Sequence, residues 1–314
     1  MTMEIEKPGL QTTVQASPFS GQRHVGMPAA GAADSLSFML ANRLVGKSPS
    51  AAALEITLDE VSFVVRRAKT VSITGAADFV RVNDAPASLH QSLNLKAGDR
   101  VHIGPAGKGC RTYVAFAGIP DWDSVLGSWS TCLQAGIGGY RGRALRVGDR
   151  LQISSEEFLT EPLQTPDHLK PNISGHYLLR ITTGPEFVDL PEDAQKRLCA
   201  ESWQVGRRSS RMGLELQGTP LGLPDQNSMP SAAVFPGTMQ CPPDGIPFLL
   251  GPDAQTTGGY PRIAQVIRAD RHLIGQLRPN DRVQLLQTSP EKAQRVYRQK
   301  LALLRPWLGD VSLW

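Results

Sequence analysis

Leu95-Lys96-Ala97-Gly98-Asp99-Arg100-Val101-His102-Ile103 recurs as Leu145-Arg146-Val147-Gly148-Asp149-Arg150-Leu151-Gln152-Ile153. It returns once more, with asparagine in place of glycine, as Leu277-Arg278-Pro279-Asn280-Asp281-Arg282-Val283-Gln284-Leu285. In each copy a residue that tolerates positive φ sits in a tight turn, and polar and apolar residues alternate after it. Alternation with period two is the mark of a half-buried strand. The repeated Asp-Arg is read as a structural device for entering a strand at a sheet edge rather than as chemistry. Two copies fall in the first half of the chain and the third closes the second half, so the repeat predicts two β-rich units.

The composition agrees with many short strands. Of 314 residues, 40% are hydrophobic but only 6% aromatic, and 30 glycines with 24 prolines imply frequent turns. A run of polar residues with Pro162, Pro166 and Pro171 reads as a linker. The expected organisation is a β-barrel domain over 1–155, a linker over 156–175, a second barrel over 176–288 and a helical tail over 289–314. Strands are expected at 61–65, 71–74, 79–82 and 111–116, then at 177–181, 212–216, 248–250 and 263–267. Helices are few. Asp34 can cap one over 35–45 that ends at Gly46, 191–200 is a second, and Ser289-Pro290 opens a third that Pro306 should stop near Leu304.

Charge and cysteine usage exclude several function classes. Thirty-three basic against 29 acidic residues leave a formal charge of +4, and the densest basic spots are the pairs Arg66-Arg67 and Arg207-Arg208 without interleaved aromatics. Nucleic acid is therefore not an expected partner. No apolar run is long enough to span a membrane and none resembles a signal peptide, so a soluble, cytoplasmic protein is expected. Cys110, Cys132, Cys199 and Cys241 lie far apart, and the six histidines show no ligand spacing, so no metal site is expected. Cys241, beside Gln240 and two prolines, reads as a buried hydrophobe or a nucleophile.

The chemistry is expected in polar, glycine-rich segments. Gln255-Thr256-Thr257-Gly258-Gly259-Tyr260-Pro261 lies between two apolar runs and combines an amide, two hydroxyls, paired glycines and an aromatic. Four segments share this character: Gln11 to Gln15, leading through Gly21 to His24; Ser128-Trp129-Ser130-Thr131 after Leu126-Gly127; Ser209 to Gly213; and Pro236 to Gln240. No P-loop, G-x-S-x-G elbow or H-E-x-x-H occurs, and residues 104–109 read as a hairpin loop. The pattern favours a small polar anion or amide held by backbone N–H groups, hydroxyls and an arginine.

Expected substrate-binding residues are Gln15, Ser128, Ser130, Thr131, Arg211, Gln240, Gln255, Thr256, Thr257, Gly258, Gly259 and Tyr260. Arg211 is either a bidentate clamp for a carboxylate or phosphate or the partner of Glu215. His24 leads as a general acid or base, with a structural histidine as the alternative. Glu55, inside the apolar run 51–57, is costly to bury alone and is read as a second catalytic candidate or as a network residue.

In this order, these segments resemble the biotin-dependent carboxyltransferase-like family, which contains KipA, the second subunit of allophanate hydrolase and the C subunit of prokaryotic 5-oxoprolinase. The matching stretches are Gly9-Leu10-Gln11-Thr12-Thr13-Val14-Gln15, Gly31-Ala32-Ala33-Asp34, Ala41-Asn42-Arg43-Leu44-Val45-Gly46, Ala53-Leu54-Glu55-Ile56-Thr57, Leu126 to Thr131, Ser210-Arg211-Met212-Gly213 and Asp253 to Ala264. The resemblance implies a mainly β protein of two cyclophilin-like barrels with a few short helices and a C-terminal helix. It also implies a KipI-like B subunit as partner, together with an A subunit. In the 5-oxoprolinase type, such a complex uses ATP to open the lactam of 5-oxoproline to glutamate. ATP would act at the level of the complex, and this chain would carry no covalent cofactor. The alternatives are an allophanate hydrolase or urea carboxyltransferase component, and a non-catalytic KipA-like protein that binds a KipI-like kinase inhibitor. One departure stands out. The family reads V-Q-D-x-G-R-x-G where this chain has Val14-Gln15-Ala16-Ser17-Pro18-Phe19-Ser20-Gly21. Loss of the acid and the arginine marks a divergent or inactive paralogue if that pair binds substrate, and is nearly neutral if it was a structural ion pair.

Overall fold

In a computed structural model, the structure describes residues 3–122, 124–154, 161–222 and 229–314. Two compact units emerge: Met1–Phe19 with Ala30–Ile173 and Leu304–Val311, and Ser20–Ala29 with Ser174–Leu303 and Ser312–Trp314. They divide the chain differently from the expected domains. Most of the expected linker belongs to the first unit, its residues 156–160 lie outside the described residues, and the segment Ser20–Ala29 joins the second unit.

The repeat starts three strands, but the expected sheet-edge position holds for one of them: Arg150–Leu151 ends its sheet, Arg100–Ile103 lies inside the same sheet, and Arg282–Gln287 belongs to a closed barrel. Asp99 Oδ2 accepts from Lys96 N at 2.7 Å, Asp149 Oδ2 from Arg146 N at 2.7 Å, and Asp281 Oδ2 from Arg278 N at 3.0 Å. Each aspartate N–H donates back to the carbonyl of that same residue three positions earlier, at 3.1 Å. The turn is thus closed twice, and Gly98, Gly148 and Asn280 supply the positive φ it needs, 96°, 81° and 78°. The strands Arg100–Ile103, Arg150–Leu151 and Arg282–Gln287 follow.

In the first unit the strands form two antiparallel sheets. One runs Arg150–Leu151, Met3–Lys7, Val61–Val65, Arg100–Ile103, Val80–Val82, Ala85–Ala87; the other runs Gln11–Gln15, Ala53–Thr57, Arg111–Phe116, Lys69–Gly75, Ser92–Leu95. Val14, Leu54, Phe63, Val71, Ile73, Val114 and Phe116 are among the side chains of their shared core. The helix Ser35–Leu44 is capped by Asp34, which accepts from the N–H groups of Leu36 and Ser37 at 3.1 and 3.0 Å. It lies on the strand Lys69–Gly75, whose polar side chains are buried against helix carbonyls. Ser72 donates to Ala41 O at 2.7 Å and Thr74 to Ser37 O at 2.7 Å. That is why a strand carrying serine and threonine can be buried on both faces.

The second unit is a closed barrel of seven strands, ordered His176–Thr183, Arg262–Val266, Thr238–Gln240, Phe248–Leu250, Gly213–Gln217, Ser202–Ser209, Arg282–Gln287. Parallel pairing of the first and last, Tyr177 with Val283 and Leu179 with Leu285, completes the ring and removes its edges. Trp203, Leu216, Met239, Leu249, Ile263 and Val283 fill it with no exposed area. Trp203 Nε1, buried with the ring, donates to Leu198 O at 3.0 Å at the end of the helix Glu192–Ala200.

Mainly β architecture, few helices and a C-terminal helix are as expected, with two differences of detail. The segments Gln11–Gln15 and Thr238–Gln240, singled out in the sequence as polar and not among the expected strands, are strands, because their hydroxyls and amides find partners and can be buried. The last helix, Pro290–Leu308, passes through Pro306 instead of stopping at Leu304. Pro306 stands two residues before the helix end, so it removes one N–H, the donor to the carbonyl four positions earlier, and leaves only two residues beyond it to hold in register. Burial of Leu304 and Leu308, with Arg43 over the Trp307 ring at 5.0 Å, holds that turn.

Candidate functional site

The barrel unit carries a cleft of about 610 Å³. Its walls come from the end of the strand Ser202–Ser209, the turn after it, the strands Thr238–Gln240 and Phe248–Leu250, and the 255–261 loop. Gln240, Gln255 and Tyr260 line it together with Arg207, Arg208, Met212, Phe248 and Leu250.

Two carboxamides are locked to each other at one wall. Gln240, 2% exposed, donates through Nε2 to Tyr260 O at 3.1 Å, and its Oε1 accepts from Gln255 Nε2 at 3.3 Å. Gly258 makes this possible, since a Cβ there would lie 2.6 Å from Gln240 Nε2. Gly258 pairs with Ala232 in a short ribbon, and Thr256 O accepts from Val234 N at 3.1 Å, so the loop is anchored on both sides. Tyr260 leaves its ring 44% exposed beside Met212 at 42%.

The charges of the cleft are unequal. Arg208 is committed to Glu215 by hydrogen bonds from Nε, at 2.8 Å, and Nη2. Those bonds hold the Glu215 carboxyl below the usual carboxylate range. Arg207 is exposed and, among the described residues, has no carboxylate partner. A cation without an acid, two oriented carboxamides and an apolar wall suit a small molecule with a carboxylate and an amide.

Other expected site residues are placed elsewhere. Arg211 is engaged within the protein: its side chain is 5% exposed and its fork is closed on Asp253, Nε to Oδ2 at 2.7 Å and Nη2 to Oδ1 at 2.8 Å. Nor is Glu215 its partner. Thr256, Thr257, Gly258 and Gly259 shape the loop without lining the cleft. His24 sits exposed on the short turn Arg23–Val25, outside the cleft lining. Cys241 is fully buried and burial pushes its thiol up to about 12, which removes it as a nucleophile at neutral pH.

Gln15, Ser128, Ser130, Thr131 and Glu55 belong to the first unit, where they do structural work. The hydroxyls of Ser128 and Ser130 donate to Ser17 O at 2.5 and 3.0 Å, and that of Thr131 to Val14 O at 2.9 Å. Gln15 is fully buried, with Nε2 donating to Thr131 O at 3.2 Å. Glu55, 1% exposed, accepts from Ala33 N and Tyr113 Oη at 2.8 Å each, while Tyr113 Oη accepts from Asp34 N at 2.7 Å. It is a network residue that ties a strand to the helix start. The altered family run is absorbed into packing: Ala16 and Phe19 are buried, and the Pro18 ring lies where a Cβ on Gly31 would come within 2.9 Å.

Sequence reasoning missed Arg207, Phe248 and Leu250 as cleft residues. In the sequence Arg207-Arg208 is only a basic pair, and its position at the end of a strand is the missing signal. Among the described residues, no group of three or more His, Cys, Asp and Glu side chains is placed to hold a metal, and no helix is long and apolar enough to cross a membrane.

Comparison with known proteins places this geometry. The chain is 36% identical over 291 residues to the C subunit of 5-oxoprolinase from Escherichia coli K12, covering 93% of each. It is 30% identical to the urea amidolyase of Lachancea kluyveri, covering 93% of this chain but only 17% of that protein. The solved structure of K. lactis urea amidolyase superposes with a TM-score of 0.91 at 28% identity, over 98% of this chain and 20% of that one. The family model of the carboxyltransferase domain, subdomain A and B, matches residues 25–287, and the chain belongs to that family.

Proposed function

We propose that the chain is the C subunit of a 5-oxoprolinase-type complex, which with its A and B partners opens the lactam of 5-oxoproline to glutamate at the expense of ATP. The observation that carries this reading is the 36% identity to a 5-oxoprolinase C subunit over 93% of both chains. The barrel cleft supplies fitting chemistry. Arg207 would take the carboxylate, the Gln240 and Gln255 carboxamides would face the lactam C=O and N–H, and Phe248 and Leu250 would cover the ring methylenes. The two serine hydroxyls at the cleft are engaged with backbone, Ser209 donating to Gly206 O at 2.7 Å and Ser210 accepting from Met212 N at 3.1 Å. Its part is therefore binding and orientation, and the ATP chemistry is assigned to the partner subunits.

The test is co-purification with a KipI-like B subunit and an A subunit, followed by assay of 5-oxoproline with ATP. Glutamate should form only when all three are present, and Arg207→Ala should raise KM more than it lowers kcat. A stable complex that releases no glutamate would overturn the reading. Carboxylation of urea dependent on a biotinylated carrier would replace it with the carboxyltransferase activity suggested by the urea amidolyase superposition.

A further inference from the structure

The first unit holds a second cleft, of about 570 Å³, around the glycine-rich loop 136–142. Gly136, Gly138, Gly139, Arg141 and Gly142 all have φ between 52° and 71°. Glycine accepts that region freely, whereas Arg141, at 58°, is strained by it. The loop is nevertheless pinned: Cys132 and Ile137 exchange backbone bonds at 3.0 and 3.3 Å, and Gly142 N donates to Gly138 O at 2.8 Å. It is also pressed against the adjoining backbone, since a Cβ on Gly138 would lie 2.1 Å from Ser130 O.

Among the described residues, none accepts from the backbone N–H groups of Gly138, Gly139, Tyr140 or Arg141. Successive unbonded N–H groups in a turn of this kind form a concavity for an anion. The side chains agree. Arg143 is taken by Asp149, at 2.7 and 2.8 Å, but Arg141 is exposed and has no carboxylate partner among the described residues. Arg150, 62% exposed and 3.7 Å from Glu4, is a second cation at the cleft, and Asp121 is the acid of its lining. Arg150 is shared with Glu4 and Arg141 feels the charge of Asp149 without an ion pair to it, so the cleft has cationic reach for a single oxyanion and not for a polyanion. The floor is aromatic and fixed: Trp122 stands edge-on to Phe116 and to Tyr140, with ring centroids 6.3 Å apart in both pairs.

We propose that this cleft is a second ligand site, for a small molecule bearing one carboxylate or phosphate. The oxyanion sits on the N–H groups of 138–141 and Arg141, and an apolar body lies against Trp122. The site is separate from the barrel cleft and stands or falls without it. Calorimetric titration of the full chain with inorganic phosphate and, separately, with isovalerate, a monocarboxylate with an apolar body, distinguishes the two sources of oxyanion. Saturable binding of either, accompanied by a tryptophan fluorescence change that Trp122→Phe abolishes, is expected. Arg141→Gly relieves the left-handed backbone, so it should melt no lower than the parent while binding about tenfold more weakly. Arg207→Ala should leave this binding unchanged. No saturable binding of either probe, or loss with Arg207→Ala but not with Arg141→Gly, would overturn the proposal.

Discussion

Arg211 and Asp253, 42 residues apart, close on each other through two parallel hydrogen bonds with both side chains 5% exposed. The turn after one barrel strand is thereby fastened to the segment that leads into the 255–261 loop, and Asp253 N also donates to Arg211 O at 3.0 Å. Removing the arginine alone strands a carboxylate out of water, which costs about 3–5 kcal/mol, whereas replacing both partners by apolar residues is often neutral. Arg211→Ala is therefore expected to lower the urea midpoint strongly, and Arg211→Met with Asp253→Leu to recover most of it. A single variant as stable as the parent would show that the pair carries no such burden.

Gly258 gives a test of the cleft that spares the fold. Its alanine variant would push a methyl group into the Gln240 carboxamide, 2.6 Å away, and break the contacts to Tyr260 O and Gln255. Loss of one net hydrogen bond is worth about 1 kcal/mol, or roughly a fivefold weaker affinity for 5-oxoproline. Thermal melts should fall modestly, because the buried Gln240 carboxamide loses partners, while KM rises. An unchanged KM would remove Gln240 from the substrate wall.

How much of this is legible in the sequence depends on the distance over which each feature is encoded. The Asp34 cap and the Asp-Arg turns are local, three residues wide, and can be read directly. Arg211 stands out as an arginine in a polar glycine-rich segment, but its partner lies 42 residues away and no spacing rule points to it. Thr12 to Gln15 and Thr238 to Gln240 do not read as strands because buried strands normally show apolar residues. Here carbonyls and neighbouring amides satisfy their polar groups, a fact that only the packed structure reveals. Ser128, Ser130 and Thr131 draw attention through their hydroxyls, and the hydroxyls do act, but on the backbone at Val14 and Ser17.

Two of the three turns predict a ranked pair. Asp99→Ala removes an accepted bond from Lys96 N and one from the Asn83 side chain at 2.8 Å, at an exposed turn. Asp149→Ala removes the bond from Arg146 N and both bonds from Arg143, so it should cost more. Loss of a turn cap of this kind is worth about 1 kcal/mol, and loss of a half-buried ion pair adds to it. Urea unfolding should rank Asp149→Ala as the more destabilised of the two. The reverse order would mean that the ion pair, not the turn, is dispensable.

Acid should weaken both units through buried histidines. His90 is held down to about 4, chiefly by burial and then by the charge of Lys170, and its Nδ1 has no hydrogen-bond partner among the described residues. His272 is pushed well below its ordinary value, again by burial first and then by Lys300, whose Nζ is 3.1 Å from Nε2. In both cases the unfolded chain takes up the proton first, so stability is intact above pH 6.5 and falls as pH drops below it. For His90 the loss continues down to about pH 4 and reaches roughly 3 kcal/mol, at 1.36 kcal/mol per pH unit. Carboxylates held low by arginines, such as Glu215 and Asp149, give up stability only as pH falls toward the ordinary carboxylate range and below, so the upper part of the window reports the histidines. Asparagine tolerates the positive φ of 59° at position 90, which makes His90→Asn the informative variant. Urea midpoints measured at about pH 7 and about pH 5 should differ less for His90→Asn than for the parent, by roughly 2 kcal/mol. An identical pH dependence in the two proteins would show that His90 already carries its proton in the folded state.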